Sequence, residues 1–374
     1  SKLTEANVNA NLGNPFSWFL DNETILVKML PKNRQPLLDS KKDLPTGPII
    51  SNTSGEKSQN RTYPDMLKNK NDEANFENII TSELYKVKLN GDTTLFKEAA
   101  MFAGERISPD GNYIMLTTIQ KPFSYVVPLN RFPSKTVVYD VRGKEIKTVN
   151  EVPLNEIMPK GFMAVRKGKR EMAWRNDKPA TLSYVEALDE GNPANKVDFR
   201  DEVFLWEAPF TNDATTLVKL PQRYGYITWG NDNIAFITDE WYDTRNTKTY
   251  LINPSNPGQQ PKVITDRNQQ DVYSDPGVFE TKKNEYNRNV LAIEKDNAFR
   301  IGDGYTKEGQ FPFIDEFNLK TLKTKRIYTS PYKDKKEDLI EIEDFKTGKV
   351  LVQIQSKSEY PNYYFRNIKK QNSI

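Results

Sequence analysis

The chain has 374 residues, with 54 Lys or Arg against 51 Asp or Glu and a formal net charge of +3, so no strong field favours nucleic acid. It has no Cys and no His, which excludes disulfides, thiolate or imidazole metal ligands, cysteine nucleophiles and a Ser-His-Asp triad built from this chain. Aromatic residues make up 11% of it, enough to require a core.

Residues 1–5 show no basic stretch running into an apolar one, so no secretory leader is read there. A periplasmic or secreted compartment is nonetheless the expectation. No stretch approaches the roughly 20 apolar residues that cross a bilayer as a helix, so no membrane span is expected.

Along the chain, short apolar runs and period-2 alternation dominate. Strands are expected at 24–29, 83–88, 113–119, 136–140, 181–187, 203–206, 233–238, 247–252, 290–294, 314–319, 339–344 and 350–355, each between Gly, Pro, Asn or Asp clusters. Residues 31–81 interrupt this series with Lys, Asn, Ser, Asp and Pro, and read as an insertion within the first recognisable unit. Only 62–67 and 73–80 have helical character there. The insertion is either a surface loop or a structured element packed on the rest; composition leaves both open.

A repeat underlies the strands: an apolar strand, a tight polar turn, then a second apolar strand. Turns at Asp110, Asp177, Asp232, Asn287 and Gly348 stand 67, 55, 55 and 61 residues apart. Four strands per repeat is the pattern of a β-propeller blade, because one twisted sheet with two apolar faces must be covered by neighbours on both sides. The expected fold is therefore all-β, an incomplete propeller of about five to six four-stranded antiparallel blades in a single domain spanning 1–374.

Several segments carry a more specific signal. Lys121-Pro122-Phe123-Ser124-Tyr125-Val126-Val127-Pro128, running on to Arg131-Phe132-Pro133, is one. Val165-Arg166-Lys167-Gly168-Lys169-Arg170 followed by Trp174-Arg175-Asn176-Asp177-Lys178-Pro179 is another. Glu240-Trp241-Tyr242-Asp243 and Asp271-Val272-Tyr273-Ser274-Asp275-Pro276 complete the set, with Pro45-Thr46-Gly47-Pro48 and the run from Arg61 to Leu67 in the insertion. Together these resemble the N-terminal propeller of glutamyl-endopeptidase-like serine peptidases, a branch of the prolyl oligopeptidase family. The resemblance covers about residues 12 to 365.

It implies a seven-bladed propeller followed by an α/β-hydrolase domain bearing a Ser-Asp-His triad. This chain has no His and no G-x-S-x-G elbow, so it is expected to be the non-catalytic propeller, with no catalytic residues or cofactor of its own. Its expected partners are that hydrolase domain and peptide substrates that it gates. A free-standing propeller acting as an interaction scaffold is the alternative; a propeller glycosidase working with two carboxylates is a further one.

A substrate with an acidic P1 side chain, as the resemblance implies, needs its carboxylate paired, and a planar guanidinium suits this best. The candidate substrate contacts are Arg131, Lys121, Tyr125, Arg166, Arg170, Trp241 and Tyr242. Arg131 lies between Pro128 and Pro133 in a loop stiffened by proline; Lys121 stands where the resemblance leads one to expect Arg. Such residues also serve structure, the basic ones bonding backbone carbonyls or carboxylates and the aromatic ones filling the core between blades. Asp271 and Asp275 read as turn formers, 333–343 as a solvated charged face, and Asn22, Asn52 and Asn60 as glycosylation sequons of little specificity.

Overall fold

The computed structural model describes residues 2–39 and 63–370. The sequons at Asn52 and Asn60 and the motif at 45–48 lie outside the described residues. The chain divides into two compact units, residues 1–195 with 205–215 and residues 196–204 with 216–374.

The first unit opens with a four-stranded meander of β1 (Phe16–Trp18), β2 (Thr24–Met29), β3 (Ser82–Lys88) and β4 (Thr93–Ala100). A second follows as β5 (Phe102–Ile107), β6 (Tyr113–Ile119), β7 (Ser134–Asp140) and β8 (Glu145–Val152). The antiparallel pair of β9 (Arg170–Trp174) and β10 (Thr181–Ala187) comes next. The chain then passes between the units within β11 (Asp201–Glu207) and at the start of β12 (Thr215–Leu220).

The second unit contains the meander of β13 (Arg223–Asn231), β14 (Ile234–Trp241), β15 (Asn246–Ile252) and β16 (Lys262–Asn268). After it come β17 (Val278–Phe279), the small hairpin of β18 (Thr281–Lys283) and β19 (Asn289–Leu291), and β20 (Ile293–Glu294). The chain continues through β21 (Asn297–Gly302), a hairpin of β22 (Tyr305–Thr306) and β23 (Gly309–Gln310), β24 (Phe313–Asn318) and β25 (Thr324–Thr329). The sheet there has the order β17-β21-β24-β25, with β20 also on β21. A three-stranded meander ends the described chain: β26 (Lys336–Asp344), β27 (Lys349–Gln355) and β28 (Asn362–Asn367). The fold is all-β, made of consecutive antiparallel sheets of the β-propeller blade type.

The second strands β2, β6, β10 and β14 are the most buried of their sheets. They are rich in Ile, Leu, Val, Phe and Thr, which fit a pleated, enclosed surface. The outer strands β4, β16 and β25 are mostly exposed and polar. Facing sheets share cores: Leu26 and Leu84 of the first sheet pack with Ile107, Ile114 and Leu116 of the second. In the second unit, Phe299 and Ile314 pack with Leu339, Val350 and Val352. Trp174 is buried and donates from its indole to the carbonyl of Arg106 at 2.9 Å.

The turns owe their tightness to Asx chemistry. Asp140 accepts from the amides of Arg142 and Lys144 at 2.9 Å each, with Gly143 at φ +87 closing the hairpin. The Lys144 amide, foremost among several donors, holds the Asp140 carboxyl below its usual range. Asp271 and Asp275 are turn formers as well, accepting from the amides of Tyr273 and Gly277.

Three expectations need correction. The helix expected over 62–67 is absent from its described part, 63–67, where Pro64 and Asp65 at φ +58 forbid a continuous turn. The single strand expected over 290–294 is split at Ala292, whose amide instead donates to the carbonyl of Glu280. The charged face over 333–343 is not wholly solvated: Glu337 is fully buried and pairs with Arg366 at 2.8 Å.

Candidate functional site

The site begins with the parity of a meander. In the sheet β5–β8 the β6–β7 loop and the segment after β8 leave from the same end. The two are bonded there: Ser124 donates to Glu156 at 2.6 Å, and the Asn155 amide donates to the carbonyl of Arg131 at 3.0 Å. The Val126 amide in turn donates to the Ser124 hydroxyl. Three large apolar side chains are nonetheless exposed on these loops: Val126 at 62%, Ile157 at 81% and Phe162 at 73%.

Helix α1 (Lys70–Ile80) lies against this end. Asn69 caps it by accepting from the Asp72 amide, and Asp72 and Glu73 complement its first-turn dipole. Phe76 packs edge-on to Phe123, with ring centroids 5.1 Å apart, and to Phe132 at 5.9 Å. Residues 34–38 bond along the helix through Asn75 and Asn78.

This placement engages several of the sequence-derived candidates. Lys121 forms an ion pair with Glu77 of α1 at 2.7 Å. Arg131 ends a short 3-10 turn (Leu129–Arg131), its guanidinium 5.7 Å from the centre of the Tyr63 ring. Tyr125 is half-buried, its ring 5.8 Å from the Lys70 ammonium. The insertion thus supplies the partners of all three.

Arg166 is different. It lines an open cavity of about 290 Å3 on one face of β5–β8, together with Arg106, Asn130, Thr117, Thr136 and Asn150 among others. Its guanidinium donates to the carbonyls of Lys167 and Lys169. Burial pushes its pKa down, and the charge of Arg170 adds to this; Glu171 opposes it. Arg170 itself is buried at the start of β9.

Trp241 and Tyr242 belong to the second unit. Trp241 carries the guanidinium of Arg200 at 4.0 Å from its ring, and Tyr242 that of Arg245 at 3.6 Å. Each is already stacked on a cation.

Sequence reading missed Arg106, Asn130 and the polar row of Gly104, Thr117, Thr136 and Asn150. These four sit opposite one another across β5–β8. A glycine inside the strand pattern at Gly104 was the one available signal, since it marks open space or a close approach.

No family model matches the chain. It is 34% identical over 381 residues to the probable chloroplastic glutamyl endopeptidase of Oryza sativa subsp. japonica, covering 98% of this chain and 40% of that protein. The corresponding protein of Arabidopsis thaliana is 33% identical over 369 residues, covering 93% and 38%. The chain is a homologue of the glutamyl endopeptidases. It spans about two fifths of the length of the curated relatives it matches. Among solved structures, the β-propeller domain of the Trilobed protease from Pyrococcus furiosus aligns with 94% of this glutamyl endopeptidase homologue and 79% of that chain, at 8% identity and TM-score 0.38.

Proposed function

We propose that this chain is the propeller of a larger serine endopeptidase, docking onto an α/β-hydrolase domain and admitting peptides while excluding folded proteins. The observation that supports it most is the exposure of Val126, Ile157 and Phe162 on neighbouring loops at one end of β5–β8. Large apolar side chains left in water on bonded loops mark a surface that another body covers. The relatives' name points to acidic substrates, and the guanidinium groups of Arg131 and Arg166 at the same end suit them.

The test uses the complete reading frame. Cleavage of short Glu-containing peptides is compared with cleavage of a folded protein displaying the same sequence in a loop. Peptides are cut and the folded protein is spared; paired Val126→Glu and Ile157→Glu substitutions loosen docking and relax that discrimination. The 374-residue chain alone is not labelled by a fluorophosphonate. Equal cleavage of both substrates, or labelling of this chain alone, overturns the proposal.

A further inference from the structure

The two faces of the sheet β5–β8 are unlike. One carries Ile107, Ile114 and Leu116 into the shared core, with Glu105 beside them in a buried ion pair with Lys28. The other is polar at the row where packing against a neighbour would favour Val, Ile or Leu. Thr117 and Thr136 share a hydroxyl hydrogen bond at 2.9 Å, Asn150 bonds the carbonyl of Lys169, and Gly104 leaves the end of the row without a side chain.

A polar row on a blade face costs hydrophobic stabilisation, and here it floors the open cavity of about 290 Å3. The cavity has two guanidinium groups and no carboxylate among its described lining residues. Both guanidinium groups are held by backbone carbonyls, Arg106 by Met172 and Arg166 by Lys167 and Lys169. Carbonyl dipoles orient a guanidinium without cancelling its charge. The exposed Glu171 is the acid that acts on Arg166, and it does not line the cavity. Lys121, by contrast, already has Glu77. Asn130, Ser134 and the two threonines add neutral hydrogen-bonding groups, and Met115, Met172 and Phe132 add apolar wall.

We propose that this cavity is a carboxylate-binding site for peptides, in which Arg106 and Arg166 receive the anion and the Met and Phe side chains receive the methylene stem. The proposal rests on the peptidase reading for its ligand class. The carboxylate comes either from an acidic side chain or from a peptide C-terminus.

The test is an NMR titration of the 374-residue chain with three peptides. These are acetyl-Ala-Glu-Ala-amide, acetyl-Ala-Gln-Ala with a free C-terminal carboxylate, and acetyl-Ala-Gln-Ala-amide. The first binds and shifts the resonances of Gly104, Thr117 and Asn150, while the doubly neutral peptide does not. Binding by the second peptide alone keeps the site and assigns it to C-termini. Arg166→Gln weakens the carboxylate peptides about tenfold or more, the loss expected for one charge-assisted bond; Arg166→Lys restores part of it. Asn130→Asp, at an exposed loop position, places a negative charge at the rim and abolishes binding while the amide spectrum stays folded. The site is refuted if all three peptides bind equally, if none binds, or if folded Asn130→Asp and Arg166→Gln proteins bind as the wild type does. Because no hydrolysis is measured, failure here is separable from failure of the gating experiment.

Discussion

The amide of Val165 donates to the carbonyl of Gly191 at 3.0 Å, and a β-carbon on Gly191 would stand 2.0 Å from the carbonyl oxygen of Val165. Gly191 also has φ +75, a conformation that L side chains rarely adopt. This contact sets the segment that carries Phe162 and Arg166. Gly191→Ala combines left-handed strain with a backbone clash and destabilises the first unit by about 3 kcal/mol. Chemical denaturation checks the loss, and Arg166 leaves the cavity in the variant's structure. A Gly191→Ala protein of unchanged midpoint would contradict this account.

Phe76 is the aromatic contact between the helix of the insertion and the β6–β7 loop. Phe76 is half-buried between Phe123 and Phe132, themselves stacked at 5.5 Å. Phe76→Ala removes both edge-to-face contacts and much of the apolar area of α1, at about 2–3 kcal/mol for a side chain not wholly enclosed. The readout is local: amide exchange in 70–80 accelerates strongly while β6 and β7 keep their protection. Uniform acceleration across the unit would mean that the helix is part of the core rather than docked upon it.

How much of this was readable follows from where each residue is buried. β2, β6 and β10 were legible to the residue because inner strands are buried along most of their length and carry runs of apolar residues. β4, β16 and β25 left no run to find, since outer strands face water and take polar residues. The cations of the site were visible one by one, but their partners were not: Glu77 and Tyr63 reach Lys121 and Arg131 from a segment over forty residues away. The row from Gly104 to Asn150 exists only through strand register, which period-2 alternation does not fix between strands.

Asp239 gives the second unit a pH dependence. Desolvation dominates and pushes its carboxyl from 3.8 up to about 6, despite hydrogen bonds from the Gln222 amide and side chain and from the Tyr250 hydroxyl. A carboxyl raised in the fold binds its proton there more tightly than in the unfolded chain. Its penalty is therefore absent below pH 3.8, grows as pH rises to about 6, and is constant above. Asp239→Asn cannot ionise, so the stability of wild type relative to this variant falls by about 3 kcal/mol across that window. Denaturation of both proteins at several pH values checks it; a difference that stays flat or rises with pH would refute the assignment.

Glu337 and Arg366 form the pair that holds the last described strand. The Arg366 guanidinium donates to Glu337 at 2.8 Å and to the Tyr332 hydroxyl at 3.0 Å, and the Tyr328 hydroxyl donates to Glu337 at 2.7 Å. Both charged side chains are almost completely buried, at 0% and 5% exposure. Removing one leaves the other charge in the interior, so Glu337→Ala and Arg366→Ala each cost about 3–5 kcal/mol. Replacing both with apolar residues of similar volume, Glu337→Leu with Arg366→Met, costs much less than the sum, because no lone charge remains. The double-mutant cycle by denaturation therefore gives a large coupling energy. Additive losses would show instead that the pair is solvated and that β28 is held by its backbone ladder to β27.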